Sequence, residues 1–92
     1  MTRMHDPPHP GAVLKEYLGD RTITETAARL GVSRATLSRI VSGASGVSID
    51  MAYRLGDAFG TGPELWAGLQ LQHGLHQAGR RRRTREKSSK ET

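Results

Sequence analysis

The sequence of 92 residues has no cysteine, which excludes disulfide frameworks, thiolate catalysis and cysteine-based zinc sites together. Large side chains are scarce: one Trp, two Tyr and one Phe, within a hydrophobic content of 35%. That is enough for one small core and not for a second. No apolar run approaches the length of a membrane span. Residues 1–10 are polar and proline-rich, without the apolar stretch of an export signal. A soluble, cytoplasmic chain with no membrane contact is the expectation. Strands are also missing from the pattern, because nowhere do apolar residues alternate over a useful length. There is no nucleophile with a paired base and no phosphate-cradling loop, so neither an enzyme nor a cofactor is expected.

Positive charge is what the chain has in excess, at a net +5, but its location matters more than its size. Over residues 1–78, seven basic side chains (Arg3, Lys15, Arg21, Arg29, Arg34, Arg39, Arg54) meet seven acidic ones (Asp6, Glu16, Asp20, Glu25, Asp50, Asp57, Glu64). The whole excess sits in residues 79–92, where Arg80, Arg81, Arg82, Arg83, Arg85, Lys87 and Lys90 outweigh Glu86 and Glu91. A high isoelectric point therefore describes the end of the chain, and such a run strengthens sequence-independent phosphate binding. Apolar residues vanish after Ala78. With so little to bury, residues 79–92 are expected to form a disordered basic tail.

Helix signals fill the middle of the sequence. Pro10 suits a first helical turn, and Val13, Leu14, Tyr17 and Leu18 form a stripe that Gly19 ends. Thr22 with Glu25 is a capping-box pair opening a second helix through Ala27, Ala28 and Leu30, which Gly31 closes. Val32 plugs the turn, Ser33 caps a third helix with Leu37, Ile40 and Val41 on its apolar side, and Gly43 ends it. Ser48 caps a fourth helix containing Met51, Ala52, Leu55, Ala58 and Phe59. Pro63 opens a fifth, with Leu65, Trp66, Leu69, Leu71 and Leu75. Gly68 and Gly74 inside that last helix each cost roughly 1 kcal/mol relative to alanine, so it needs packing against something. The expected fold is an all-α bundle of five helices over residues 9–78, preceded by a flexible arm at residues 1–8.

Two short capped helices joined by a tight turn, with the small Ala27 at their crossing, form the pattern of a DNA-reading helix-turn-helix. The N-terminal residues of the second helix of such a motif reach base edges in the major groove. Arg34 and Arg39 are candidates for bidentate contact with guanine, Thr36 and Ser38 can meet a base or a phosphate, and Ala35 can touch a thymine methyl. Thr22, Ile23 and Thr24, at the start of the preceding helix, suit a phosphate.

The same arrangement also occurs in helical bundles that never touch DNA, where Arg34, Thr36, Ser38 and Arg39 would be an ordinary solvated face. Composition favours a polyanion, because a structural face would carry Glu and Lys for helix propensity, whereas residues 33–39 contain no acid. A protein-binding helical module remains the competing reading. His73 and His76, three apart, lack a third ligand and read as surface or interface residues rather than a metal site. His5 and His9 read as arm and helix-start residues.

The chain resembles the HigA-type antitoxins, a branch of the Xre/Cro-like (lambda-repressor-like) helix-turn-helix family. The resemblance rests on residues 9–11 (HPG), 24–43 (TETAARLGVSRATLSRIVSG), 46–48 (GVS), 51–55 (MAYRL), 59–61 (FGT) and 63–66 (PELW). It implies the antitoxin of a type II toxin–antitoxin system: a homodimer that binds palindromic operator DNA, represses its own promoter and neutralises a HigB-like toxin of the RelE-like mRNA endonuclease type. A stand-alone Xre-type transcriptional regulator without a toxin is the alternative. Carried over by position, the reading residues are Ser33, Arg34, Ala35, Thr36, Ser38 and Arg39, with phosphate contacts near Thr22, Thr24 and Ser42 or Ser45. The resemblance puts the dimer interface on the last helix, at Leu65, Trp66 and Leu69. Operator sequence, toxin identity and stoichiometry are not legible in the sequence.

Overall fold

The first four helix starts share one device, a side-chain acceptor placed just before the first helical residue. In a computed structural model describing residues 7–91, with side chains for residues 7–83, the elements are α1 (Pro10–Leu18), α2 (Ile23–Leu30), α3 (Arg34–Ser42), α4 (Ile49–Phe59) and α5 (Pro63–Glu91). No strand occurs among the described residues. At α2 the capping box is complete: Thr22 Oγ1 accepts from the Glu25 amide at 3.0 Å and Glu25 Oε1 accepts from the Thr22 amide at 3.1 Å. Ser33 and Ser48 cap α3 and α4 in the simpler way, accepting from the amides of Thr36 and Met51. At α1 the cap is a histidine, with His9 Nδ1 accepting from the Gly11 amide at 2.9 Å.

Around one core gather Leu14 of α1, Ala27 and Leu30 of α2, Leu37 and Ile40 of α3, Val47, Met51, Ala52 and Leu55 at α4, and Trp66 of α5. Burying these apolar side chains is what stabilises helices too short to persist alone. Gly11 is where α1 lies on α3: a Cβ there would overlap the Ile40 carbonyl oxygen. Ala27 of α2 is buried in the same core, where a side chain this small lets a neighbouring helix come close.

Trp66, which the resemblance places at a dimer interface, belongs instead to this chain's own core. It has no exposed surface, its indole N–H donates to Thr61 Oγ1 at 2.9 Å, and Tyr17 packs edge-on at 5.3 Å. A buried indole needs a partner for its polar edge, and Thr61 supplies it within the chain. Leu65 and Leu69 are half-buried against the same core. Among the described residues, the large apolar side chains that stay exposed are Tyr17, Ile49, Tyr53, Leu71 and Leu75.

The helical backbone of α5 does not stop at Ala78, where the apolar residues end, but runs on to Glu91. Helix propensity accounts for this extension of the backbone. Arg, Lys and Glu are good helix formers, and a helix already nucleated extends through them without core contacts. Side chains of residues 84–92 lie outside the described residues, as do residues 1–6 of the expected arm. Among the described residues no helix is long and apolar enough to cross a membrane.

α5 also reaches the start of α1, where the His73 ring sits edge-on to His9 with centroids 4.8 Å apart. Desolvation, and then the nearby His73, hold the His9 pKa below the usual histidine value.

Candidate nucleic-acid interface

α2 and α3 are joined by three residues, and the geometry of that joint decides which side of α3 looks outward. Gly31 takes the left-handed conformation at φ 77°, which a side chain would strain. The amides of Gly31 and Val32 then fold back and donate to the Ala27 carbonyl at 2.9 and 3.0 Å, which satisfies an acceptor in the last turn of α2. Ser33 follows in extended conformation and starts α3.

Leu37 and Ile40 face inward, so the opposite side of α3 is set by the roughly 100° advance per residue. Ala35, Ser38, Arg39 and Ser42 share the centre of the outward face, with Arg34 on one flank and Thr36 on the other. Ser33 and all six of these residues are exposed. Arg34, Ala35 and Ser38 together line a shallow open hollow. No carboxylate among the described residues pairs with Arg34 or Arg39. Their guanidinium groups are available to an external acceptor, for which a planar five-donor fork is suited.

The hydroxyls divide into working and available groups. Ser33 Oγ donates to Thr36 Oγ1 at 2.8 Å while accepting from the Thr36 amide, so this pair is tied to the cap of α3. Ser42 Oγ donates to the Arg39 carbonyl at 3.1 Å and holds the end of the helix. Ser45 is half-buried, with its amide donating to the Arg39 carbonyl. Thr22 serves the capping box, and Thr24 stands exposed one residue into α2.

Three polar side chains with structural duties around this motif escape a reading by periodicity. Arg54 of α4 donates from Nη1 to the Leu30 carbonyl at 2.9 Å, and from Nε to Asp50 Oδ2 at 2.8 Å. It satisfies a carbonyl left over at the end of α2. Arg29 donates to the Ala58 carbonyl at 2.9 Å, linking α2 to the end of α4. Gln70 Oε1 accepts from the Val47 amide at 2.7 Å and fixes the loop after α3. Asp50 and Arg54, four apart on a helix, are the visible signal for the first of these. Nothing local marks the other two.

Similar proteins share this arrangement. A family profile described as helix-turn-helix matches residues 14–66. Virulence-associated protein A' of Dichelobacter nodosus is 45% identical over 84% of this chain and 70% of its own length. Among solved structures, an antidote protein of a plasmid maintenance system from Nostoc punctiforme superposes with a TM-score of 0.88 at 33% identity, covering 92% of this chain and 96% of that one. The Pseudomonas aeruginosa antitoxin HigA, solved with the higBA promoter, gives a TM-score of 0.76 at 40% identity over 78% of this chain and 82% of that one. This chain is therefore a member of the Xre-like helix-turn-helix family, and its structural neighbours are HigA-family antitoxins.

Proposed function

We propose that the chain is the cytoplasmic antitoxin of a type II toxin–antitoxin pair, which binds operator DNA as a homodimer, represses its own promoter and neutralises a RelE-like mRNA endonuclease. The observation that carries the DNA-binding part is the outward face of α3: acid-free, with Arg34 and Arg39 unpaired by carboxylates, on a fold similar to a protein solved with its promoter. In this reading α3 enters the major groove. Arg39 reaches a guanine edge from the centre of the face and Arg34 reaches one from its flank, while Ser38 and Ala35 are close enough to a base to exclude mismatched donors and methyl groups. At the start of α2, Glu25 already holds the Thr22 amide, so Thr24 beside it is the residue offered to a phosphate, and Ser42 and Ser45 sit where the backbone leaves the groove.

A homodimer supplies two such helices for the two halves of a palindrome, about 34 Å apart on one side of the duplex. With Trp66 enclosed, the surface available for pairing is the exposed apolar set Ile49, Tyr53, Leu71 and Leu75. Ile49 and Tyr53 border one hollow with Ala67, and Leu71 and Leu75 continue from Ala67 at four-residue steps along α5. An uncovered set of this kind marks a contact surface.

Binding is tested by footprinting the DNA upstream of the gene with the full chain and with Arg34→Ala and Arg39→Ala. Each substitution is expected to cost about 1 to 3 kcal/mol of specific binding. The toxin is tested by expressing the neighbouring gene with and without this chain. If no neighbouring product is toxic alone, the stand-alone regulator replaces the antitoxin.

A further inference from the structure

The structure assigns the charge that the folded part lacks to a helical arm, and we infer that the basic end of α5 grips DNA phosphates flanking the reading site. The inference rests on the DNA-binding reading above. Residues 1–78 are formally neutral, and within them Arg29 and Arg54 are committed to backbone carbonyls of neighbouring helices. Such a domain draws little long-range attraction from a polyanion. Affinity for duplex DNA comes largely from neutralised phosphates and the counterions they release. The excess positive charge is in residues 79–92, whose seven basic side chains face two acids.

Two features favour DNA over an acidic protein as the partner. Arg80, Arg81, Arg82 and Arg83 are consecutive and exposed on helical backbone, so at about 100° per residue they fan around the whole axis. An acidic protein surface would be matched by one stripe at three- and four-residue spacing. A fan suits a diffuse polyanion approached from any side, and the guanidinium fork matches phosphate oxygens. The arm also starts from the right place. Gln70 holds the Val47 amide in the loop that follows α3, and Arg81 lies eleven residues further along the same helix, roughly 16 Å away at 1.5 Å per residue. That span is a few phosphate spacings, so the arm can meet backbone beside the groove that α3 occupies.

The full chain is compared with the combined variant Arg81→Gln, Arg82→Gln, Arg83→Gln, since glutamine keeps helix propensity without the charge. Binding is measured between 50 and 200 mM salt to a duplex of the gene's own upstream DNA and to a shuffled duplex of equal length. The slope of log K against log salt should become shallower by about 1 to 3, at about 0.9 for each phosphate that the variant no longer neutralises. Both affinities should fall by a similar factor, leaving their ratio intact. An unchanged slope on both duplexes overturns the arm, as does a loss confined to the upstream duplex. If the unsubstituted chain does not prefer its upstream duplex, sequence reading fails, and the slope on shuffled DNA still decides the arm. If it binds neither duplex, both readings fall.

Discussion

Arg54 Nη1 donates to the Leu30 carbonyl across 2.9 Å, so a side chain of α4 closes the end of the helix that packs against α3. Its Nε is held by Asp50 at the same time. Removing the guanidinium leaves the α2 carbonyl without its charged donor, and hydrogen bonds to charged groups contribute about 1.5 to 3 kcal/mol. Partial exposure of the site brings the expected loss for Arg54→Ala to the lower end, about 1 to 2 kcal/mol by urea unfolding. Asp50→Asn should cost less, because the Leu30 bond survives. Equal losses for the two would mean that the carbonyl bond contributes nothing.

Glycine at position 11 is required by close approach, whereas glycine at position 74 is not. A Cβ at Gly11 would overlap the Ile40 carbonyl oxygen, and one at Gly74 would meet nothing within 4 Å. Gly11→Ala should therefore push α1 off α3 and destabilise by about 2 kcal/mol or more, in the range for overpacked cores. Gly74→Ala should stabilise by up to about 1 kcal/mol through helix propensity. Thermal unfolding of the two variants should shift in opposite directions, and a shift in the same direction would contradict the close approach at Ile40.

Acid should loosen the packing between α1 and α5. Burial and then the nearby His73 lower the His9 pKa in the folded chain, so the unfolded chain takes up a proton first as pH falls. The stabilisation is complete above the unfolded value of about 6.5 and is lost as pH drops below it. Protonation also removes the Nδ1 lone pair that caps α1. His9→Asn keeps a capping acceptor without titrating, so the loss of stability between pH 7.5 and 5.5 should be smaller in that variant. An identical loss would place the titration elsewhere.

Enclosed and exposed apolar residues of α4 and α5 should respond differently to substitution. Trp66→Ala removes a fully enclosed ring and should cost about 3 to 5 kcal/mol, unfolding the monomer. Leu71→Glu together with Tyr53→Glu changes side chains that are 59% and 57% exposed. That pair should leave helicity intact while sedimentation shows a monomer in place of a dimer. A dimer that persists in the double variant would move the interface off this surface.

The helix starts and the α2–α3 turn are legible in the sequence because their signals are local: Thr22 with Glu25, Ser33, Ser48 and the left-handed Gly31 each act within a few residues. The outward face of α3 follows from the same periodicity that buries Leu37 and Ile40. Trp66 is harder, because an apolar residue on a helix reads alike whether its neighbours come from the same chain or another. Thr61, five residues earlier, takes its N–H and decides the matter only in three dimensions. Arg54, Arg29 and Gln70 escape because their partners are carbonyls and amides 23 to 29 residues away, and any residue type presents those. Loss of apolar residues marks the end of packing, whereas helical backbone persists wherever propensity allows.

Arg39, at the centre of the outward face of α3, carries the most direct test. Affinity of the full chain and of Arg39→Ala is measured for the upstream duplex and for a shuffled duplex at one fixed salt concentration. A reading helix predicts a loss of about 1 to 3 kcal/mol on the upstream duplex and a much smaller loss on the shuffled one, so their ratio collapses. Equal losses on both, or none on either, would contradict base reading by α3.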